Sequence, residues 1–418
     1  MKAQQYLKGL FHEGKSNIER MHERIPDSDY QQLHHFISES TWDAFGVMRS
    51  VAQNTQKSLD QLPHQQGLLL DESGWEKAGI KSVGVARQYI GQVGKVCNAQ
   101  VGVFAALVKG DKVGLVNARL YLPAEWTDKP TRCRAAGIPL EEQAYQSKPQ
   151  LAVAMLRELA PVVSYDWVGG DSIYGNSPDL RAYLLAQQQR FVLDVGSELS
   201  VFLADPAPVV PAAKSSRGRQ PSRGQTTQVR HTLSAVLTGL EADKWQTLVY
   251  RRGSEGKLVR QAQLVRVWLW KPDWQTPPQA LHLLISREVD GSAVKYSLVY
   301  EPTDVPDLLT SLQRQMQRYW VERAFQDSKE ELGLHQNQTR SWVGWYHHVA
   351  LTLMALHFML DTRVEEAADL PLLSCSDIKL MLAKRLLNKL NDSEGLWRAI
   401  EQRHRQRSNN AHLYIYQT

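Results

Sequence analysis

Cysteine is scarce in this chain of 418 residues. Cys97, Cys133 and Cys375 form no CxxC pair and no metal-ligand spacing. That excludes a disulfide framework and a thiolate zinc site, and it points to a reducing compartment. Long apolar runs are missing too. The longest candidate, Val349 to Leu360, falls short of the ~20 residues a membrane span requires and carries His357. The opening residues, Met1-Lys2-Ala3-Gln4-Gln5-Tyr6, contain no apolar leader core. A cytoplasmic protein with no membrane partner is expected. Charge of one sign is also limited, and a net charge of +5 selects no partner by itself. What is present is size and apolar content. At 43% hydrophobic the chain can bury sizeable cores, and its length suits roughly two to four domains.

Residues 1–62 place apolar side chains at helical spacing, as in Asn17-Ile18-Glu19-Arg20-Met21 and Asp29 to Ile37, with Asp27 or Ser28 as a cap for the second of these helices. This region holds 7 Lys/Arg against 8 Asp/Glu, so its charge gives no sign of nucleic-acid binding. A packing bundle and a DNA-end-binding domain both remain open. From 63 to 203 the pattern changes. Leu68-Leu69-Leu70 reads as a buried strand, and Cys97 to Leu107 alternates with period two. Lys109-Gly110-Asp111 then turns the chain into Val113 to Leu122. A helix over 147–159, a strand over 162–171, a helix over 176–189 and a strand over 190–195 follow. This order predicts an α/β fold with a mixed sheet and flanking helices.

Composition shifts near residue 204. Ala204 to Arg223 is rich in Pro, Ala, Ser, Gly and Arg and reads as an exposed loop. Between Pro206 and Arg260, 10 Lys/Arg face 3 Asp/Glu, a net charge of +7 that exceeds that of the whole chain. Strands are expected at 247–252, 258–270, 281–286 and 294–300, with Asp290-Gly291 as a hairpin turn. A basic, β-rich insertion over 204–303 therefore interrupts the α/β core. The core resumes over 304–365, and a helical C-terminal region covers 366–418.

Three acidic residues stand out. Asp71 follows the apolar run 68–70, and Asp171 follows Gly169-Gly170. Glu322 lies on a helical segment with Arg318 and Lys329 on the same face. Carboxylates at two strand ends and on one helix can hold hard divalent cations over a phosphodiester. Taken singly, each has an ordinary alternative: a turn cap for Asp71, a helix cap for Asp171, and an i, i+4 ion pair with Arg318 for Glu322. Lys214, Arg217, Arg219, Arg223 and Arg230 can neutralise phosphates. Trp245, Trp268, Trp270 and Trp274 can stack on an extruded base, although Trp268 and Trp270 fit a sheet core better. Thr339 to His348 is dense in Trp and His and suits either aromatic packing or support of a site. Arg403-His404-Arg405-Gln406-Arg407 suits DNA contact or solvation.

These residues resemble the bacterial insertion-sequence transposases of the DDE class, which have an RNase-H-like catalytic domain. The resemblance rests on Leu-Leu-Leu-Asp71-Glu-Ser-Gly, Gly-Gly-Asp171-Ser-Ile-Tyr-Gly, the β-rich insertion and the helix that follows it. Related families carry a Tyr, Arg, Glu, Lys signature on that helix. Arg318, Glu322 and Lys329 stand at its spacing, whereas Gln315 stands where the Tyr is expected. The resemblance implies that Asp71, Asp171 and Glu322 are catalytic and hold two Mg²⁺ ions, with Mn²⁺ as a substitute, and that Arg318 and Lys329 contact DNA. It implies cut-and-paste movement, with terminal inverted repeats and target DNA as partners and a homodimer in the synaptic complex. A hairpin intermediate would use a Trp to hold a flipped base, with Trp245 and Trp274 as candidates. A structure-specific nuclease of the same fold and a catalytically inactive DNA-binding derivative are the alternatives.

Overall fold

The chain divides into two units, one built from Met1–Asp166 and Gln317–Thr418, the other from Trp167–Met316. The computed structural model describes residues 2–12, 14–25, 27–91, 93–211, 222–253, 256–273, 277–303, 305–387, 397 and 401.

The first unit begins with the helices Lys2–Leu10, Ile18–Arg24, Tyr30–Ser38 and Ala44–Asp60. Asn17 starts the second by accepting from Arg20 N at 2.9 Å. Asp29 starts the third by accepting from Gln32 N at 2.8 Å. The cap is therefore Asp29, not Asp27 or Ser28. Asp27 takes a left-handed backbone (φ 58°), and the Ser28 hydroxyl turns back to Ile25 O. Leu33, Ile37, Met48, Val51 and Leu59 form the buried stripes.

Four antiparallel strands follow: β1 (Gln66–Glu76), β2 (Ala86–Ile90), β3 (Lys95–Lys109) and β4 (Lys112–Leu120). The long β3 organises them. One of its edges pairs with β1 from Ala99 to Lys109. Its other edge takes β2 at Lys95–Ala99 and β4 at Gly102–Lys109. The hairpin from β3 to β4 turns at Gly110, whose φ of 63° suits a residue without Cβ. Helix Lys148–Leu159 starts with a capping box between Ser147 and Gln150 and buries Leu151, Met155, Leu156 and Leu159. Helix Tyr319–Glu330 packs over the sheet, with Phe325 edge-on to Phe104 at 5.2 Å. Helix Trp342–Glu365 is buried along most of its length, as its apolar content on every face requires. The Trp and His residues near its start are packing groups. His347 stacks on Trp42 at 3.7 Å and bonds Ile37 O and Trp42 O. Among the described residues, no helix is long and apolar enough to cross a membrane.

The second unit holds β5 (Trp167–Gly170), β6 (Phe191–Val195), β7 (Ser200–Phe202), β8 (Arg230–Thr232), β9 (Gln246–Gly253), β10 (Gly256–Leu269), β11 (Gln279–Arg287) and β12 (Lys295–Tyr300). β5 and β6 run parallel, joined through helices Ser172–Gly175 and Pro178–Ala186. β6, β12, β11 and β10 then pair antiparallel in that order. The sheet is thus mixed, and the fold is α/β as the element order implied. β5 is shorter than the strand expected over 162–171, and the following helix starts at Pro178 because Ser177 caps it. Val192, Ala262, Leu284, Val299 and Leu312 form the core of this unit.

Candidate active site

Leu68, Leu69 and Leu70 are fully buried and anchor β1. Asp71 follows them in the middle of β1, opposite Phe104, and not at a strand end. Glu72, Ser73 and Gly74 look like a turn in the sequence, yet they continue the ladder because β3 supplies Val103, Gly102 and Val101 as partners. The Asp71 side chain is 11% exposed. Its Oδ1 accepts from Glu72 N at 2.7 Å, and its Oδ2 accepts from Arg318 Nη1 at 3.3 Å. The same Nη1 lies 3.0 Å from Glu322 Oε1. One guanidinium nitrogen thus joins the first and third candidate carboxylates and offsets their mutual repulsion. The ordinary i, i+4 pair between Arg318 and Glu322 is real, and it coexists with the long-range bond.

Lys329 lies on the same helix, almost two turns beyond Glu322. Its Nζ donates to Gly74 O at 3.0 Å. Burial lowers its pKa from 10.5 to about 8. Glu72, which the sequence did not single out, pairs with Lys148 at 2.8 Å. The partner's distance along the chain left no local signal for it.

Asp171 belongs to the second unit and caps the helical turn Ser172–Gly175, accepting from Ile173 N at 2.9 Å. Gly175 in that turn admits no side chain, because a Cβ would stand 1.9 Å from Asp194 O. Asp166 is not part of this turn. It precedes β5 and accepts from Gln66 N at 2.7 Å. Gln315, at the signature Tyr position, is buried. It accepts from Ser286 Oγ at 2.6 Å and donates to Ser297 Oγ at 2.7 Å, and that hydroxyl donates to Asp194 Oδ1 at 2.5 Å.

Residues 1–257, more than half of the chain, match the family described as DDE superfamily endonuclease. The chain belongs to that family. Over 156 residues the chain is 32% identical to the probable transposase for insertion sequence element IS701 of Microchaete diplosiphon. That match covers 37% of this chain and 37% of the relative. Among solved structures, the piggyBac transposase synaptic complex with hairpin DNA aligns with 82% of this chain and 57% of its own, at a TM-score of 0.36 and 12% identity. The NurA nuclease from Sulfolobus solfataricus aligns with 65% of this chain and 80% of its own, at a TM-score of 0.26 and 9% identity.

The remaining candidate residues sort by position. Lys214, Arg217, Arg219, Trp274 and the Arg403–Arg407 tail lie outside the described residues. Arg223 is exposed. Arg230 Nη2 donates to Trp270 O at 3.4 Å, and its guanidinium lies 5.8 Å from the Phe202 ring centre. Trp245 is half-buried beneath the Arg287 guanidinium, 3.9 Å from its ring centre. Trp270 is buried, as a core residue would be, whereas Trp268 is half-buried beside Arg266.

Proposed function

We propose that this chain is a DDE transposase that cuts the ends of its element and joins them to target DNA. The observation that carries the reading is the single Arg318 nitrogen within ion-pair distance of both Asp71 and Glu322. It draws together Asp71, named from the segment after Leu68–Leu70, and Glu322, named from the helix spacing. Their donor atoms are carboxylate oxygens, which fit Mg²⁺ and accept Mn²⁺. Asp71, Asp171 and Glu322 are the residues assigned to hold two such ions. Bound there, the pair would stabilise the attacking and leaving oxygens of an in-line displacement.

The attacking oxygen comes from water in the cut and from a DNA 3′-hydroxyl in the join. Arg318 sets the orientation of two carboxylates, and Lys329 fixes the Glu322 helix against β1 and adds positive charge beside the phosphate. Lys214, Arg217, Arg219, Arg223 and Arg230 supply sequence-independent phosphate contacts from the insertion. Trp245 and Trp274 are assigned to a flipped base, and helices in 1–62 to the element ends. The partners are terminal inverted repeats and target DNA, and the synaptic complex holds a homodimer.

The test is cleavage of a supercoiled plasmid carrying the flanking element ends, with Mg²⁺ or EDTA, beside Glu322→Gln. Metal-dependent release of the element, lost in the variant, supports the assignment. Nicking without joining would favour a structure-specific nuclease instead. Retarded but uncut DNA under every condition would mark a catalytically inactive DNA-binding derivative.

A further inference from the structure

A cleft of about 760 Å³ opens in the first unit, lined by residues 80–81 and 85–87, by the short helices Ala124–Thr127 and Pro130–Ala135 and the turns beside them, and by residues 340–341. Lys81, Arg87, Lys129, Arg132 and Arg340 line it, against Glu125 alone among acidic residues. The site described above uses none of them.

Arg132 builds the wall. Its guanidinium lies 3.7 Å from the Trp126 ring centre, and its Nη2 donates to Ile80 O at 2.7 Å. The Trp126 indole donates to Val85 O at 2.8 Å. Val83 N donates to Arg340 O at 3.0 Å, and Trp342 N donates to Ala136 O at 2.8 Å. These bonds tie separate chain segments into one frame. Lys81, Arg87, Lys129 and Arg340 stand exposed on that frame, and none makes an ion pair with a described residue. Their charges are spread over different segments, which suits a row of phosphates better than one small anion.

The strand register gives the cleft its place relative to Asp71. Glu76 of β1 and Ala86 of β2 both pair with Ala99 of β3, so the start of β2 lies level with the end of β1. Asp71 lies five residues back along β1. At ~3.4 Å per residue this is roughly 17 Å, about half of the ~34 Å turn of duplex DNA. An adjoining cleft shares Ile80, Lys81 and Arg340 and adds Lys15, which extends the positive surface, beside Glu76.

We propose that this cleft grips the sugar-phosphate backbone of duplex DNA about half a helical turn from the cut. The inference rests on the reading that the chain cuts DNA, and it adds a contact surface separate from the basic insertion.

The experiment measures binding of a labelled random-sequence duplex of about 40 base pairs across a NaCl series, in EDTA. The proteins are wild type, the triple variant Lys81→Ala, Lys129→Ala, Arg340→Ala, and the charge-retaining triple Lys81→Arg, Lys129→Arg, Arg340→Lys. All three positions are exposed, so the fold is expected to persist. The alanine triple should bind at least about tenfold more weakly near 0.1 M salt. Its plot of log affinity against log salt should flatten by about 2 to 3, while the charge-retaining triple keeps the wild-type slope. Wild-type binding with an unchanged alanine triple overturns the cleft alone. A wild type that binds no duplex and cuts no plasmid overturns the cleft and the transposase reading together.

Discussion

Lys329 donates from Nζ to the carbonyl oxygen of Gly74, 3.0 Å away. The bond fastens the Glu322 helix to β1 three residues beyond Asp71, so it fixes the spacing on which the carboxylates depend. It also places an ammonium where burial penalises charge. Below about pH 8 Lys329 is charged in the folded and unfolded states alike, and folding carries the full desolvation penalty. Between about 8 and 10.5 the unfolded chain holds more protons, so stability rises with pH in that window. Lys77, also lowered to about 8 by burial, acts in the same direction. Lys329→Met should flatten part of this rise. Denaturant midpoints for both proteins from about pH 7 to about pH 10 provide the check. Parallel curves would mean that Lys329 titrates as it does in the unfolded chain.

Arg318→Ala should leave the two carboxylates to repel each other and should lower the plasmid cleavage rate by at least about 100-fold. The loss of stability should be only about 1–2 kcal/mol, because Glu322 is largely exposed. Arg318→Lys should recover part of the rate, since an ammonium keeps the charge but lacks the planar fork. Cleavage by Arg318→Ala at the wild-type rate would remove Arg318 from the site.

Gln315→Tyr restores the side chain seen in related signatures, and it should not restore any activity. The amide of Gln315 serves Ser286 as acceptor and Ser297 as donor in a buried network. A phenol offers one oxygen and a larger ring. Overpacking and a broken network should cost roughly 2–4 kcal/mol, read by urea unfolding. Higher cleavage with unchanged stability would contradict this account.

His348 provides an acid-side test. It is held between the Tyr6 hydroxyl at 2.8 Å and Leu334 O at 3.1 Å. Burial lowers its pKa from 6.5 to about 4. Its contribution to stability is therefore complete above about pH 6.5 and declines as pH falls toward 4, where the folded state also takes up the proton. His348→Gln should reduce the slope of stability against pH in that interval. Equal slopes in both proteins would place the acid sensitivity elsewhere.

The parts of this fold that were legible in the sequence are those governed by local periodicity. The alternation from Cys97 to Leu107 marks β3, and the stripe at Leu151, Met155 and Leu159 marks its helix. Asp71 was recognisable as a candidate but was placed at a strand end, because Asp-Glu-Ser-Gly has the composition of a turn. Only the facing residues of β3, some thirty positions away, hold it extended. The bonds of Arg318 to Asp71 and of Lys329 to Gly74 join residues about 250 positions apart, and no window of sequence records them. The cleft around Trp126 and Arg132 escaped for a related reason. It is assembled from short segments, each too brief to show a period.

The division of the chain also fixes an order of events during synthesis. Trp167–Met316 is contiguous, so all of it leaves the ribosome before the last helices of the first unit exist. The bond from Arg318 to Asp71 cannot close until translation has passed residue 318, and Glu322 comes later still. A chain that stops early carries Asp71 and Asp171 without the arginine and glutamate that complete the set. Under the proposed function, products truncated before residue 322 have no means of breaking DNA, and the competence to cut arrives only once the Glu322 helix has been made.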